Sequence, residues 1–203
     1  MITPISRIET TQPAVAITFD DGPHEINTLK FVELFEKEGV KVTFFELGKR
    51  ILEFPDLAVA VHVAGHEIGN HSINHPHLSS LSIEEIREQL SATQRIIEEA
   101  TGFMPKVFRA PYLDQDEKVW TVCEELGLPS INASVSAQDW REEATTEQIV
   151  RDSTEKVVSG DIIVLHTWQT KSLVGMPEMI RILKGKGLAC VTVSELMAMR
   201  TEN

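Results

Sequence analysis

Residues 14–46, AVAITFDDGPHEINTLKFVELFEKEGVKVTFFE, decide the fold class of this chain. Residues 14–19 and 41–46 are short apolar runs, which are typical of buried strands. Between them, apolar residues recur at helical spacing over 28–39, on a face formed by Leu29, Val32, Leu34 and Phe35. Two strands joined by a helix lie parallel in one sheet with a right-handed crossover, so this stretch predicts a β-α-β unit.

The same alternation continues to the end of the chain. Further strands are predicted at 66–69, 107–110, 130–135, 161–166 and 188–193. Further helices are predicted at 56–65, 80–102, 117–127, 145–158, 177–187 and 194–200. No linker or repeat separates these units, of which there are about seven. The pattern therefore predicts one α/β domain over residues 1–203, built as a barrel or as an open doubly wound sheet.

Charge and hydropathy exclude several classes of partner. The formal net charge is −12, from 19 basic and 31 acidic residues in a chain of 203. Such a surface repels phosphate backbones and anionic lipid, so we expect no nucleic-acid or membrane partner, and a neutral polymer fits better. The longest apolar run, at 162–165, is too short to span a bilayer. The N-terminus lacks the apolar core of a signal peptide, so we expect an intracellular protein, or a secreted one if a leader has been trimmed.

The two cysteines do not indicate a disulfide. Cys123 and Cys190 lie far apart in sequence, each within an apolar stretch. A cysteine in such a stretch behaves as a small apolar side chain, so we expect two buried free thiols.

Polar side chains stand at the ends of five predicted strands. They are Asp20-Asp21, Asn70-His71, Arg109, Asp139-Trp140 and His166. Because the carboxyl ends of parallel strands meet at one rim in either layout, we expect these side chains to lie close together. No glycine-rich phosphate loop follows the first strand, which argues against a dinucleotide site.

Two of these groups are candidates for metal binding. Asp20 and Asp21 are adjacent on a strand, so they point to opposite sides, and one can bind a metal while the other takes a proton. His71 and His75 are four residues apart, so on a helical turn they share a face and can bind one metal ion. A carboxylate from elsewhere would complete the ligand set. Taken alone, the acidic pair also fits a simple turn, and the histidines also fit a polar loop.

The remaining candidates each have two interpretations. A buried Arg109 needs a carboxylate partner, and Asp20 is the candidate. The pair could serve the function or could be an ordinary salt bridge. Asp139-Trp140 places an acid beside an aromatic ring that could face a sugar. His166 ends the most apolar strand, as either a satisfied core histidine or an acid whose pKa is adjusted by its neighbours.

Together the segments TFDDGP (18–23), HSINH (71–75), RAPY (109–112), SAQDW (136–140) and VLH (164–166) resemble the five motifs of the polysaccharide deacetylases, carbohydrate esterase family 4. The resemblance spans about residues 14–197. Members of that family fold as a distorted (β/α) barrel with about seven parallel strands. They hydrolyse N- or O-acetyl groups on chitin, peptidoglycan or xylan. The resemblance therefore implies this single-domain fold and an acetylated carbohydrate as substrate, with no obligatory protein partner.

The resemblance also implies a role for each candidate residue. A divalent cation, usually Zn²⁺ and sometimes Co²⁺, would be held by Asp21, His71 and His75. Asp20 would be the general base for the attacking water, held ionised by Arg109. His166 would be the general acid, with its pKa raised by Asp139. The backbone N–H of Tyr112 would help to stabilise the oxyanion, and the pocket for the acetyl methyl would be shaped by Trp140 and Leu165.

Four positions depart from the common family pattern: Ala110, Leu113, Ser136 and Thr167. None of them removes a metal ligand or a proton carrier. The segments NHSINHPHLSSL (70–81), SAQDW and HTWQT (166–170) most resemble the acetylxylan-esterase branch, but ester and amide hydrolysis use the same residues. Three alternatives stay open: an N-deacetylase of chitin oligosaccharides or peptidoglycan, a hydrolase of a small amide, and an inactive glycan-binding member.

Overall fold

The computed structural model describes residues 4–201. At its centre is a parallel sheet of six strands: β1 (Ala14–Gly22), β2 (Thr43–Glu46), β3 (Glu67–Asn70), β4 (Val135–Ser136), β5 (Ile162–His166) and β6 (Ala189–Val191). The strand order is β3-β2-β1-β5-β4, and β6 pairs with β1. On one edge β1 pairs with β5, and its other edge is shared by β6 near the start and β2 near the end.

Single bridges extend the sheet beyond β3. Phe108 makes parallel bridges with Asn70 at the end of β3 and with Ser130. The N-terminal segment 5–8 lies between the segment at 130–131 and the residue that precedes β5. Within it Ile5 bridges to Ile131, and Arg7 bridges to Asp161 next to β5. The predicted parallel α/β class is confirmed, with the seventh position occupied by bridges rather than by a full strand.

The predicted strands at 107–110 and 130–135 are therefore wrong in extent. Only Phe108 pairs in the first segment, and in the second the bridges at 130–131 are separated from the two-residue strand β4. Proline explains part of the difference, because Pro111 and Pro129 lack the N–H that a ladder needs.

Eight α-helices surround the strands within residues 4–201. They are α1 (Thr28–Glu38), α2 (Gly48–Glu53), α3 (Pro55–Val63), α4 (Ile83–Thr101), α5 (Glu117–Glu125), α6 (Thr146–Asp152), α7 (Thr170–Gly185) and α8 (Val193–Ala198). The sequence pattern missed α2 and placed the end of α6 six residues too late. It also began α7 at Pro177, which lies inside that helix. The buried face of α1 differs from the predicted one, because Phe31 is buried whereas Leu29 is 45% exposed.

Side chains of β1 alternate between two core regions. Val15, Ile17 and Phe19 face the helices in the larger core cluster, where Phe19 packs against Phe31 and Phe44. Ala14 and Ala16 face the second cluster, on the other side of the strand. By the two-residue period of a strand, Thr18 and Asp20 continue the face of Ala16. The strand thus carries Asp20 to the carboxyl end of the sheet on the side away from the larger cluster.

Both cysteines are free and buried, as expected. Burial raises the pKa of the Cys123 thiol to about 12 and that of Cys190 to about 11. Across residues 4–201, no helix has the length and hydropathy that crossing a membrane requires.

Candidate active site

The carboxyl ends of the strands surround a cavity of about 590 Å³. Most of the predicted site residues line it: Asp20, Asp21, His71, His75, Tyr112, Trp140 and His166. Arg109 and Asp139 do not line the cavity, but each forms an ion pair with a residue that does. Leu165 differs from expectation, because it packs in the larger core cluster and its neighbour Val164 lines the cavity. The two adjacent residues face opposite sides of β5, and Val164 shares the side of His166.

Asp21, His71 and His75 converge as a candidate metal centre. One ligand atom from each lies within 4.8 Å of the other two. Asp21 Oδ1 is 3.4 Å from His71 Nε2 and 3.2 Å from His75 Nε2. The Nδ1 atom of His71 lies 2.8 Å from the carbonyl oxygen of Arg109. A carbonyl only accepts, so Nδ1 carries the proton, and the Nε2 lone pair is free to bind a metal.

The donor set fits a divalent cation. Within residues 4–201, the buried Asp21 Oδ1 has no hydrogen-bond partner and faces two imidazole nitrogens. Buried polar atoms are normally paired, so this oxygen is available to bind an ion. Burial raises the pKa of Asp21, but the facing His71 and His75 lower it more, and the net result is a pKa below its ordinary value. Two imidazoles and one carboxylate are ligands that Zn²⁺ and similar ions accept.

The histidine pair does not lie on a helical turn, contrary to expectation. Strand β3 ends at Asn70, and residues 71–77 form an irregular loop. Within it Ser72 and His75 have left-handed φ values of 68° and 63°. The Asn70 side chain accepts from the N–H of Ser72, and Ser72 Oγ accepts from the N–H of His75. These turns, rather than helical periodicity, bring the two imidazoles together.

Asp20 and Arg109 form a buried ion pair. Arg109 is fully buried, and its Nη1 lies 2.7 Å from Asp20 Oδ1. The guanidinium also stacks 4.2 Å above the Phe45 ring, and its other donors bind Thr18 Oγ1 and the carbonyls of Ile131 and Asn132. Such fixed geometry holds the carboxylate in one orientation at the cavity wall. The predicted pairing of Arg109 with Asp20 is present in the structure.

Asp139 holds His166 through both carboxylate oxygens. Oδ1 lies 2.7 Å from His166 Nδ1, and Oδ2 accepts from the His166 backbone N–H at 2.9 Å. Burial lowers the pKa of His166, but the hydrogen bond and charge of Asp139, with the charges of Asp20 and Asp21, outweigh it and raise that pKa above its ordinary value. His166 can therefore carry a proton near neutral pH and release it into the cavity from Nε2.

Left-handed backbone at non-glycine residues is concentrated around this cavity. In the described part of the chain, six non-glycine residues have positive φ: Asp21, Ser72, His75, Tyr112, Leu113 and Gln138. Asp21 lies near the end of β1, and the other five lie in the segments that follow the strands and bridges. Four of the six line the cavity. Uncommon conformations of this kind persist only where surrounding contacts impose them, and they are frequent at functional sites. The oxyanion role of the Tyr112 N–H stays a prediction.

Sequence reasoning missed three residues that support the site. Trp168 donates from its indole to Asp21, Ser172 donates its hydroxyl to Asp139 Oδ2, and Gln169 donates to the Asp139 carbonyl. The segment HTWQTKS (166–172) carries all three, but polar residues at a helix start normally indicate only capping. Gln169 does cap α7, and only the tertiary contacts identify its second role.

Comparisons with known proteins show the family of this chain. The polysaccharide deacetylase family matches residues 7–131. A peptidoglycan-N-acetylglucosamine deacetylase of Listeria monocytogenes is 32% identical over 189 residues, covering 92% of this chain and 39% of that protein. A chitooligosaccharide deacetylase of Azorhizobium caulinodans is 34% identical over 163 residues, covering 79% of this chain and 77% of that protein. The chain therefore spans about two fifths of the first relative's length.

One solved structure matches this chain with a TM-score of 0.93 and 27% sequence identity. The match covers 100% of this chain and 71% of the chain in the solved structure. It is a pseudoenzyme of carbohydrate esterase family 4 from Bacillus anthracis, and a mutant of it with restored enzymatic activity matches equally well. Family membership follows from the sequence matches: this chain belongs to the polysaccharide deacetylase family. The resemblance seen in the five motifs is thereby confirmed.

Proposed function

We propose that this chain is a metal-dependent hydrolase that removes acetyl groups from the N-acetylated sugars of a glycan. The observation that carries the proposal is the presence of two separate proton carriers at one cavity. Asp20 and His166 lie opposite each other on the paired strands β1 and β5. Each has its own buried partner, and both line the cavity with the candidate metal ligands.

Hydrolysis of an acetyl amide needs these two proton transfers. A metal bound by Asp21, His71 and His75 would polarise the acetyl carbonyl and lower the pKa of water. Asp20 accepts the proton of the attacking water as the new C–O bond forms, and the hydrogen bond from Arg109 holds that carboxylate in a fixed orientation. His166 gives its proton to the sugar nitrogen as the C–N bond breaks, so the products are acetate and an amine.

Exposed aromatic rings at the cavity rim favour a carbohydrate substrate. Tyr112, Trp140 and Trp168 line the cavity, and their exposed fractions are 61%, 47% and 37%. An aromatic ring offers an apolar face to the C–H groups of a sugar. The net charge of −12 also suits an uncharged polymer better than an anionic one. The N-acetyl preference is taken from the two relatives, whose names specify N-acetylglucosamine and chitooligosaccharide.

A second candidate function is glycan binding without turnover. It is favoured by the match to the Bacillus anthracis pseudoenzyme, since a TM-score of 0.93 means that the fold alone does not separate active from inactive members. The residues argue for activity, because the metal ligands and both proton carriers are present with their partners.

Acetate release tests the proposal directly. The zinc-loaded protein should release acetate from peptidoglycan or chitin oligosaccharides, and a chelator should abolish the release. Acetylated xylan in the same assay tests the ester alternative, and a small acetamide tests the small-amide alternative. Substrate binding without acetate release from any of the four would support the binding function and contradict hydrolysis.

Asp20→Asn tests the general base within the same assay. The variant keeps all three metal ligands, so we expect it to bind Zn²⁺ but to lose turnover by about 10²–10⁴-fold. Asp152→Asn, at an exposed position on α6, is the matched control and should remain fully active. Near-normal turnover in a folded Asp20→Asn protein would exclude Asp20 as the base.

A further inference from the structure

Trp168 contacts the carboxylate of Asp21 on the side away from the histidines. The residue follows strand β5, two positions after His166, and its indole Nε1 donates to Asp21 Oδ2 at 3.1 Å. The other carboxylate oxygen, Oδ1, is the atom that faces the two imidazoles. The indole has a single N–H, which donates to Oδ2. Oδ1 therefore receives no hydrogen bond from Trp168.

The backbone around Trp168 is tied to the end of β1, from which Asp21 comes. Asn27 is buried, and its Nδ2 donates to the carbonyls of Thr167 at 3.2 Å and Trp168 at 3.0 Å. Thr167 donates from its N–H and its hydroxyl to the carbonyl of Asp20 at 3.0 and 3.1 Å. The backbone that carries the indole is therefore fixed beside the residue that precedes Asp21.

We propose that Trp168 is a positioning residue of the metal site. Its hydrogen bond to Oδ2 fixes the rotation of the Asp21 carboxylate, so that Oδ1 alone is presented as a single-oxygen ligand beside His71 and His75. Hydrogen-bond partners of metal ligands typically change metal affinity or activity by about 10–100-fold when removed. This inference rests on the proposed metal-dependent function, because it concerns the same three ligands.

The test is the affinity for Zn²⁺, measured by competition with a chromophoric chelator. Trp168→Phe keeps an aromatic ring but removes the N–H, and we expect its affinity to fall by about 10–100-fold. Trp120→Phe is the matched control, since Trp120 on α5 also donates its indole N–H to a side chain, Gln115 Oε1, at 3.1 Å. The control should keep wild-type affinity. Thermal melts of the metal-free proteins show whether each variant is folded.

The outcomes separate this inference from the proposed function. Equal zinc affinity in the wild type and both variants would overturn the role of Trp168 and leave the metal site intact. No zinc binding in any of the three would overturn both. If the affinity for Zn²⁺ falls in Trp168→Phe and stays at the wild-type value in Trp120→Phe, the positioning role of Trp168 is supported.

A second measurement serves if Trp168→Phe does not fold. Replacing Trp120 and Trp140 with Phe leaves Trp168 as the single tryptophan, because the chain has three. Zinc should shift its fluorescence emission, since the carboxylate that it contacts then shares its charge with the ion. If bound zinc leaves the emission of Trp168 unchanged, the result contradicts the contact between Trp168 and the metal ligand Asp21.

Discussion

Asp139 is the residue that makes His166 usable as an acid. It is fully buried, it contacts the imidazole at 2.7 Å, and Ser172 and the His166 N–H satisfy its second oxygen. A buried carboxylate of this kind favours the charged form of the imidazole beside it. Its acceptor positions are filled by neighbours from β5 and α7, so it cannot easily turn away from His166.

Asp139→Asn should shift the pH dependence of turnover. Without the negative charge, the protonated form of His166 is less stable and its pKa falls, so the acid loses its proton at a lower pH. We expect lower turnover and an alkaline limb of the kcat/KM profile that moves to lower pH. An alkaline limb at the wild-type position would show that His166 is not the acid that Asp139 controls. Asp152→Asn should leave the profile unchanged.

Glu46 is a buried carboxyl group that the proposed chemistry does not use. It ends β2 with no exposed surface, and among the described residues neither carboxylate oxygen has a hydrogen-bond partner. Burial raises its pKa to about 8, so the folded protein keeps this group protonated at neutral pH. The group therefore stabilises the fold most below its unfolded pKa, and this contribution is lost as pH rises through about 8.

Glu46→Gln should relieve that pH dependence. The wild type and the variant should have similar free energies of unfolding near pH 5. At pH 9 the variant should be more stable by roughly 3–5 kcal/mol, because one pKa unit corresponds to about 1.4 kcal/mol. Urea unfolding at several pH values, with a chelator present, measures the difference. Glu99→Gln, at an exposed position on α4, should show no such trend, and a flat difference for Glu46→Gln would contradict the assignment.

At the scale of elements, local signals set the helix starts and tertiary contacts set the strand lengths. Ser82 with Glu85 and Thr145 with Gln148 match the sequence pattern of a capping box, and both boxes are present, because a cap involves residues only three apart. Strand β4 is two residues long, and nothing local in 130–136 distinguishes paired from unpaired residues. Pairing depends on which neighbouring strand reaches the segment, so periodicity overestimated it.

Ser82→Ala should weaken the start of α4 without touching the cavity. The Ser82 hydroxyl accepts from the N–H of Glu85 at 3.3 Å, and losing such a cap costs about 1 kcal/mol. We expect that loss in urea unfolding, with unchanged acetate release. Ser91→Ala, in the interior of the same helix, is the control and should be neutral or slightly stabilising. Equal stability of the two variants would mean that the cap contributes nothing.

At the scale of the whole molecule, residues 5–8 connect the segment at 130–131 with the residue that precedes β5. Ile5 pairs with the segment at 130–131, and Arg7 pairs with Asp161. Gly160 makes this possible, since its φ is 85° and its N–H and carbonyl bind Ala14 and Ile8. A Cβ atom on Gly160 would lie 1.9 Å from the carbonyl oxygen of Ile8.

Gly160→Ala should therefore destabilise the fold. The added methyl cannot fit without displacing the N-terminal segment, and we expect a loss of at least about 2 kcal/mol in the free energy of unfolding. Gly185→Ala, at the end of α7 with no atom within 4 Å of the new Cβ, is the control and should be neutral or stabilising by up to about 1 kcal/mol. If Gly160→Ala is as stable as the wild type, the close contact between Gly160 and Ile8 does not limit the residue at this position.

The sequence by itself determined the α/β class, most helices, the five motifs and the pairing of Arg109 with Asp20. The class, the helices and the motifs depend on period, on caps and on residue types at strand ends, all of which are local. The pairing was expected because a buried arginine needs a carboxylate partner. Only the tertiary structure placed Val164 rather than Leu165 at the cavity, formed the histidine pair from a loop, and brought Trp168 to Asp21 across 147 residues of chain. Contacts between distant segments depend on how strands and loops pack together, and no local pattern records that packing.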